Sequence, residues 1–389
     1  MNCPLIIFDT HPIQYRAPVF RAMGENLPGV KVAFFNSGFD GKKWWFQERD
    51  KIPKQDFGLN LVQGYDHFFL NTAQLNILKK ISLLNKILED QKPKAILIYG
   101  YYQIEHWILR MLSSRHQIPL IFVGETFDWR GSWYRKILKK LFIRFFFDQV
   151  KEFVSIGNKT TRYYENWGIQ AQRITQAHYC TDTGPFEMQE TEALNRKKET
   201  RKSLCIPEDA FVLLFVGRLF DRKRPNDLIL IHRELCKKFK IHTLFVGNGE
   251  LTEDLQRVSK DMPEIHWAGF KNHLELKNFY CAADLLVVPS EFETWGLVVN
   301  EAFSCGLPAL VTDRCGVAED LVVSGETGEI YPVGNISVAS SKIQFLIENP
   351  GSYQKMSLSA RKKVLSHYRP ESFAQSILMA FRKVNSIEV

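Results

Sequence analysis

The stretch Ala283–Thr312, ADLLVVPSEFETWGLVVNEAFSCGLPALVT, decides how the rest of the chain is read. Two apolar runs, LLVV and ALVT, have the length and composition of buried strands. Between them, GLVVNEAFSCG reads as a helix stopped by Gly306, with Pro308 just beyond. A strand, a loop, a helix and a second strand make a parallel unit. Two glutamates eight positions apart, Glu293 and Glu301, flank the helix start at Gly296. A helix start presents unpaired N–H groups, so the amides of Trp295, Gly296 and Leu297 suit a phosphate. Glu293, in the loop, is placed to reach sugar hydroxyls beside it. Glu301 lies on the helix, where a carboxylate accepts both hydroxyls of a ribose. Acids near a helix start are also ordinary partners of its dipole. That plainer reading suits Glu293 better than Glu301, which sits deeper among apolar residues and needs a partner.

Outward from this unit the same rhythm repeats. PLIIFD, VKVAFF, KAILIYG, PLIFVGE and EFVSIG read as strands in the first half, and FVLLFVG, HTLFVGNG, DLLVVPS and PALVTD in the second. Near-continuous apolar strands separated by helix-length segments indicate parallel sheets covered on both faces. Two series suggest two doubly wound α/β domains, residues 1–182 and 183–370. A final helical segment, 371–389, is free to pack back on the first, although the sequence does not show its docking partner. The charged stretch EMQETEALNRKKETRKS follows the crossover.

Ligands of open parallel sheets bind beyond the carboxyl ends of the strands. FVGRLFDRK leaves its strand at Gly217 and sets Arg218 and Lys223 in one loop. Two cations that close suit a diphosphate; a solvated basic loop is the alternative, since Arg222 and Arg224 are there too. FVGNGE has two of the three glycines of a dinucleotide fingerprint and reads better as a tight turn.

The chain has 389 residues, 45% of them hydrophobic, and a net charge of +8. The basic balance favours an anionic partner: a nucleotide sugar, a phospholipid surface or nucleic acid. No nucleic-acid recognition motif accompanies the charge, so nucleic acid is the poorest fit. Seven scattered cysteines lack C-x-x-C spacing, which argues against a disulfide framework or zinc site and for a reducing compartment. The opening MNCPLIIFDTHPIQYR has no basic n-region, and no run reaches the ~18 apolar residues of a membrane span. A cytoplasmic protein is expected, at most peripheral at the inner face of a membrane.

PSEFETWGLVVNEAFSCGLPALVTDRCGVAEDLVVSGETGEIY, together with FVGRLFDRK, LFVGNGE, IHWAGF and FYCAADLLVVPSEFE in that order, resembles the E-x7-E region of family-4 glycosyltransferases. The resemblance covers residues 203 to 369 well. It implies the GT-B fold, two Rossmann-like domains facing across a cleft. It implies a nucleoside diphosphate sugar donor, UDP- or GDP-linked, and no other cofactor. Arg218 and Lys223 would hold its diphosphate, Glu301 its ribose and Glu293 the transferred sugar, with Gly269-Phe270 near the base. It also implies retention of anomeric configuration without a metal. The chain has no D-x-D motif, and the two cations would take the metal's place in neutralising the leaving group. A non-catalytic sugar-nucleotide-binding protein, or a partner subunit on the same fold, is the alternative.

The first half resembles the family less. THPIQYRAPVFRAM is similar to the opening of one bacterial subgroup but lacks the glycine-rich loop many relatives carry. Many relatives place a histidine after a mid-domain strand; here PLIFVGETFDWRG puts Glu125 near that position. Glu125 and His11 are the catalytic candidates on this side, with Gln14 as an acceptor-side residue and His106 and His116 as alternatives. RGSWYRKILKKLFIRFFF, drawn as a helix, sets Lys136, Lys139, Lys140 and Ile143 on one side, flanked by Arg135 and Arg144. Leu138, Leu141, Phe142 and Phe145 fall on the other side, expected to be core. The basic face suits an anionic membrane surface through residues 133–147. The acceptor is expected to be a saccharide or a lipid-linked saccharide.

Overall fold

The computed structural model describes residues 3–37, 60–125 and 142–386. Most of the basic stretch, 126–141, lies outside the described residues.

The chain divides into two compact units. One holds residues 3–37, 60–179 and 370–386 in their described parts; the other runs from Cys180 to Arg369. The first has seven strands: β1 (Leu5–Asp9), β2 (Lys31–Phe34), β3 (His67–Phe69), β4 (Ala95–Tyr99), β5 (Leu120–Gly124), β6 (Val150–Ser155) and β7 (Ile174–Gln176). They form one parallel sheet in the order β3-β2-β1-β4-β5-β6-β7. The second unit has β8 (Phe211–Val216), β9 (Ile241–Val246), β10 (Ile265–Gly269), β11 (Leu285–Val288), β12 (Ala309–Thr312) and β13 (Gly328–Tyr331). These pair in parallel as β10-β9-β8-β11-β12-β13.

The apolar runs explain this arrangement. Every residue of β1, β4 and β5 is buried, because helices cover both faces of the sheet. One cluster around Phe8, Ile98, Phe122, Phe146 and Phe153 forms the core of the first unit. Another around Leu213, Phe245, Leu285, Leu310 and Ile343 forms that of the second. Strands β3, β7 and β13 are three or four residues long and mix polar with apolar side chains, so no apolar run announces them.

The last helix, Pro370–Val384, belongs to the first unit. It buries Phe373, Ile377 and Phe381. Phe373 lies 5.8 Å from the Tyr179 ring, and Lys383 reaches Glu152 at 2.9 Å and Thr175 at 3.0 Å. The expectation for Phe142 and Phe145 is overturned. Ile143, Phe146 and Phe147 are the buried residues of the helical segment 142–147, whereas Phe142 and Phe145 are 62% and 57% exposed. The large rings of Phe146 and Phe147 fill the space beside Phe122, and this turns the segment's other face outward.

Each sheet reverses its strand order once, between β1 and β4 and between β8 and β11. At such a point neighbouring loops diverge to opposite faces and leave a crevice at the carboxyl edge. In the second unit the loops leaving β8 and β11, on either side of the reversal, carry Arg218, Lys223 and Glu293; in the first, the loop leaving β1 carries His11 and Gln14.

Candidate functional site

In the second unit, the loop after β8 carries Gly217, Arg218 and Lys223, and that after β11 carries Glu293. Lys223 ends a short 3-10 turn, Asp221–Lys223, and the Glu291 amide donates to the Arg222 carbonyl at 2.8 Å. The two loops are thus stitched together across the switch point. The Lys223 ammonium forms an ion pair with the Glu293 carboxylate, both side chains mostly buried. Arg218 is exposed, its guanidinium 5.6 Å from the Phe220 ring.

The glycines of FVGNGE have a packing role. A Cβ on Gly247 would lie 2.0 Å from the Gly217 carbonyl oxygen, and one on Gly249 2.1 Å from that of Leu219. Only glycines let the loop after β9 support the cation-bearing loop this closely.

Glu293 is held on its other side by the loop after β12. Its amide donates to Arg314 at 3.3 Å, and its carbonyl accepts from Gly316 at 2.9 Å. The helix Leu297–Ser304 then begins after Gly296, at φ 112°. It ends as the sequence indicates: the Gly306 amide bonds to Phe303 at 2.9 Å and the Leu307 amide to Ala302 at 2.9 Å. Trp295 offers only its backbone to the helix start, because its indole is buried and donates to Asn300 at 2.9 Å. Phe270 follows β10 at the same sheet edge and is partly exposed.

Glu301 does have the partner its buried position requires. The Tyr280 hydroxyl donates to Oε2 at 2.6 Å, and His273 Nδ1 lies 3.8 Å from Oε1. Burial pushes the Glu301 carboxyl up to about 7, partly offset by the tyrosine's hydrogen bond. The same desolvation lowers His273 and raises Tyr280.

In the first unit, Glu125 follows β5 and is joined to residues far away in sequence. Arg16 bridges Asp9 at 2.6 Å and Glu125 at 2.5 Å, and the Tyr179 hydroxyl also donates to Glu125. The Arg16 guanidinium sits 4.1 Å from the centroid of the Tyr99 ring. Asp9 and Arg16 were not candidates in the sequence reading. An acid ending a strand and an arginine opening a helix are common, and the Glu125 partner is 109 positions away. His11 occupies the loop after β1, its Nδ1 2.8 Å from the Thr10 hydroxyl, and burial lowers its pKa. Gln14 is half-buried in the same loop, and its side-chain oxygen has no hydrogen-bond partner among the described residues. His106 is a core residue, held down to about 4 by burial and packed edge-on to Phe35. His116 bonds to Asn85 at 2.7 Å, away from the sheet edge. Both are structural.

Two open parallel sheets, the second with basic and acidic loops at its switch point, give the GT-B fold of nucleotide-sugar glycosyltransferases. Solved structures agree. Anabaena HepE in complex with UDP superposes with a TM-score of 0.74 at 14% identity, covering 98% of this chain and 100% of that one. Sucrose-phosphate synthase from Thermosynechococcus elongatus gives 0.75 at 16% identity, covering 99% and 100%. Residues 196–363 match the family model Glycosyl transferases group 1. The chain is 32% identical over 197 residues to D-inositol 3-phosphate glycosyltransferase 1 of Catenulispora acidiphila, covering 47% of this chain and 46% of that protein. It is 27% identical to N-acetyl-alpha-D-glucosaminyl L-malate synthase of Bacillus anthracis, covering 44% and 45%. The chain spans about half the length of the curated relatives it matches.

Proposed function

We propose that this protein is a glycosyltransferase that moves a sugar from a nucleoside diphosphate sugar to a saccharide or lipid-linked acceptor, with retention of configuration and without a metal. The observation that carries the reading is the Lys223–Glu293 pair at the switch point of the second sheet, inside the family-matching stretch. Lys223 and Arg218 neutralise the diphosphate as it leaves, which lowers the barrier most where charge develops. Glu293 orients the sugar and favours positive charge at its anomeric carbon. Glu301 takes the ribose, and the helix start at Gly296 and Leu297 faces a phosphate. Phe270 flanks the base. Glu125, held by Arg16 and Tyr179, and His11 and Gln14 on the first loop, serve the acceptor side.

The test is release of free nucleoside diphosphate from a panel of UDP- and GDP-sugars without acceptor, comparing wild type with Lys223→Ala. UDP sugars come first, because HepE is described in complex with UDP and with UDP-glucose. Tight binding of a nucleotide with no release from any sugar, with or without saccharide acceptors, favours a non-catalytic binding protein instead.

A membrane-facing surface is part of this reading. Among the described residues no helix is long and apolar enough to cross a membrane. Exposed Phe142 and Phe145 adjoin a sequence stretch rich in lysine and arginine with no acid between Asp128 and Asp148. Aromatic side chains beside basic ones suit an anionic interface. Phe142→Ser/Phe145→Ser is expected to lose retention on anionic vesicles while keeping its thermal stability. Wild-type indifference to such vesicles at low salt refutes this surface.

A further inference from the structure

Six buried carboxylates of this chain each have a strong cation at hydrogen-bond distance. Asp9 has Arg16 at 2.6 Å, Glu105 has Lys80 at 2.6 Å and Glu152 has Lys383 at 2.9 Å. Asp227 has Arg224 at 2.8 Å, Asp284 has Arg201 at 2.6 Å and Glu329 has Lys342 at 2.5 Å. Glu301 is as buried as these and has no arginine or lysine partner among the described residues. What surrounds it is a tyrosine hydroxyl at 2.6 Å and a histidine at 3.8 Å. Neither His273 ring nitrogen has a hydrogen-bond partner among the described residues, and the ring is packed edge-on to Phe186 at 4.7 Å. A carboxylate removed from water without a counter-ion prefers to be neutral. The effect of burial on both groups points the same way: Glu301 is raised to about 7 and His273 is lowered.

A ribose presents two adjacent hydroxyls, both donors. They satisfy a carboxylate fully and a protonated acid only in part. We propose that ribose recognition at Glu301 is an exchange of hydrogens: the carboxyl gives up its own proton to solvent as the diol's two hydroxyls take its place, with Tyr280 as the positioning residue that fixes Oε2. This rests on the reading of Glu301 as the ribose contact. Other ionisable groups on the elements packed around Glu301 are Cys281 beside Tyr280, Cys305 just past its own helix, Arg361 from the helix Pro350–His367, and Asp182 and Glu187 on the segment around Phe186. Arg361 is committed to the Met188 carbonyl at 2.8 Å and Glu187 to Arg369 at 2.5 Å. Tyr280 is the group within hydrogen-bond distance of Glu301, with His273 at 3.8 Å; Cys305 lies near enough to feel the Glu301 charge, and Asp182 acts on His273.

The free site holds the proton below about pH 7 and the occupied site does not. Affinity is therefore full above the free-site value and is lost as pH falls through it, by up to about tenfold per pH unit. The experiment is calorimetry with UDP-glucose and GDP-glucose, whose linked phosphates do not titrate near neutrality. Each is run in two buffers of different ionisation enthalpy, from pH 6 to 8.5. Wild type is expected to release close to one proton per site at pH 6 and almost none at pH 8.5, with weakening confined to the acid side. Glu301→Gln is expected to bind more weakly with no proton exchange at any pH. Tyr280→Phe, which removes a donor to the charged form, is expected to move the midpoint to higher pH and leave the high-pH affinity nearly unchanged. Sugar-nucleotide binding with heats independent of buffer and a flat pH profile overturns the exchange while leaving the glycosyltransferase reading intact. Proton release that persists in Glu301→Gln overturns it also, since another group then titrates. No binding of either sugar nucleotide at any pH refutes the functional reading and this inference with it.

Discussion

Replacing Glu293 with glutamine separates two effects that a simple loss of function would merge. The side chain keeps its shape, so the loop clamped between Arg314 and Gly316 keeps its backbone bonds. What is lost is the charge facing Lys223. Lys223 is committed to Glu293, and both side chains are less than a fifth exposed. A diphosphate must draw the ammonium away from, or share it with, that carboxylate. Hydrogen bonds to charged groups are worth about 1.5–3 kcal/mol, and exposed ion pairs about 0–1 kcal/mol. A partly buried pair falls near ~1.5 kcal/mol between them, which corresponds to roughly a tenfold change in affinity. Glu293→Gln is therefore expected to bind free UDP or GDP about tenfold more tightly than wild type. Turnover is expected to fall by about an order of magnitude or more, because the carboxylate no longer favours charge at the anomeric carbon. The assay pairs calorimetry of the free nucleotide with initial rates on the sugar nucleotide at saturation. Weaker nucleotide binding in the variant, or unchanged turnover, refutes the assignment of Lys223 to the diphosphate and Glu293 to the sugar.

Arg218→Ala is expected to weaken nucleoside diphosphate binding by about 10- to 100-fold, because a charge-assisted contact is removed from an exposed site; unchanged affinity in a folded variant excludes the contact. Gly247→Ala sets a methyl 2.0 Å from the Gly217 carbonyl in a residue at φ +129°, and is expected to cost about 2–5 kcal/mol in denaturant unfolding. A wild-type midpoint would show that the two loops separate freely. Arg201→Met removes the more buried of the two cations on Asp284, leaving Lys197 at 2.7 Å, and takes the Arg201 donors from the carbonyls of Ala282, Glu208 and Ala210, for a loss of about 3 kcal/mol. Adding Asp284→Leu is expected to recover part of that loss.

The sheets were legible because their strands are wholly apolar. AILIY and LLVV have no other comfortable place than between two layers of helices, and the loops leaving them inherit the ligand edge by geometry alone. The places of the second unit's candidates were legible for the same reason: Lys223 and Glu293 lie on loops that leave strands, and Glu301 lies near a helix stop. Pairing between distant residues was not legible. Nothing local ties Arg16 to Glu125, or Tyr280 to Glu301, because hydrogen bonds carry no periodicity along the chain. Phe142 and Phe145 misled for another reason. An aromatic run has apolar side chains on every face, so a helical projection cannot choose which one the core takes. Phe122 and Trp107 made that choice, by closing on Phe146.

The helix Pro370–Val384 completes a unit whose other strands were finished by residue 176. About 190 residues of the second unit intervene. At a synthesis rate of about 5–20 residues per second, the nascent first unit waits roughly 10–40 s for its last helix. During that time the surface that Phe373, Ile377 and Phe381 will cover, along β6 and β7, stands open on the ribosome, and the second unit is made first. A stop codon near residue 369 is expected to yield a chain whose second unit is whole and whose first is prone to aggregate.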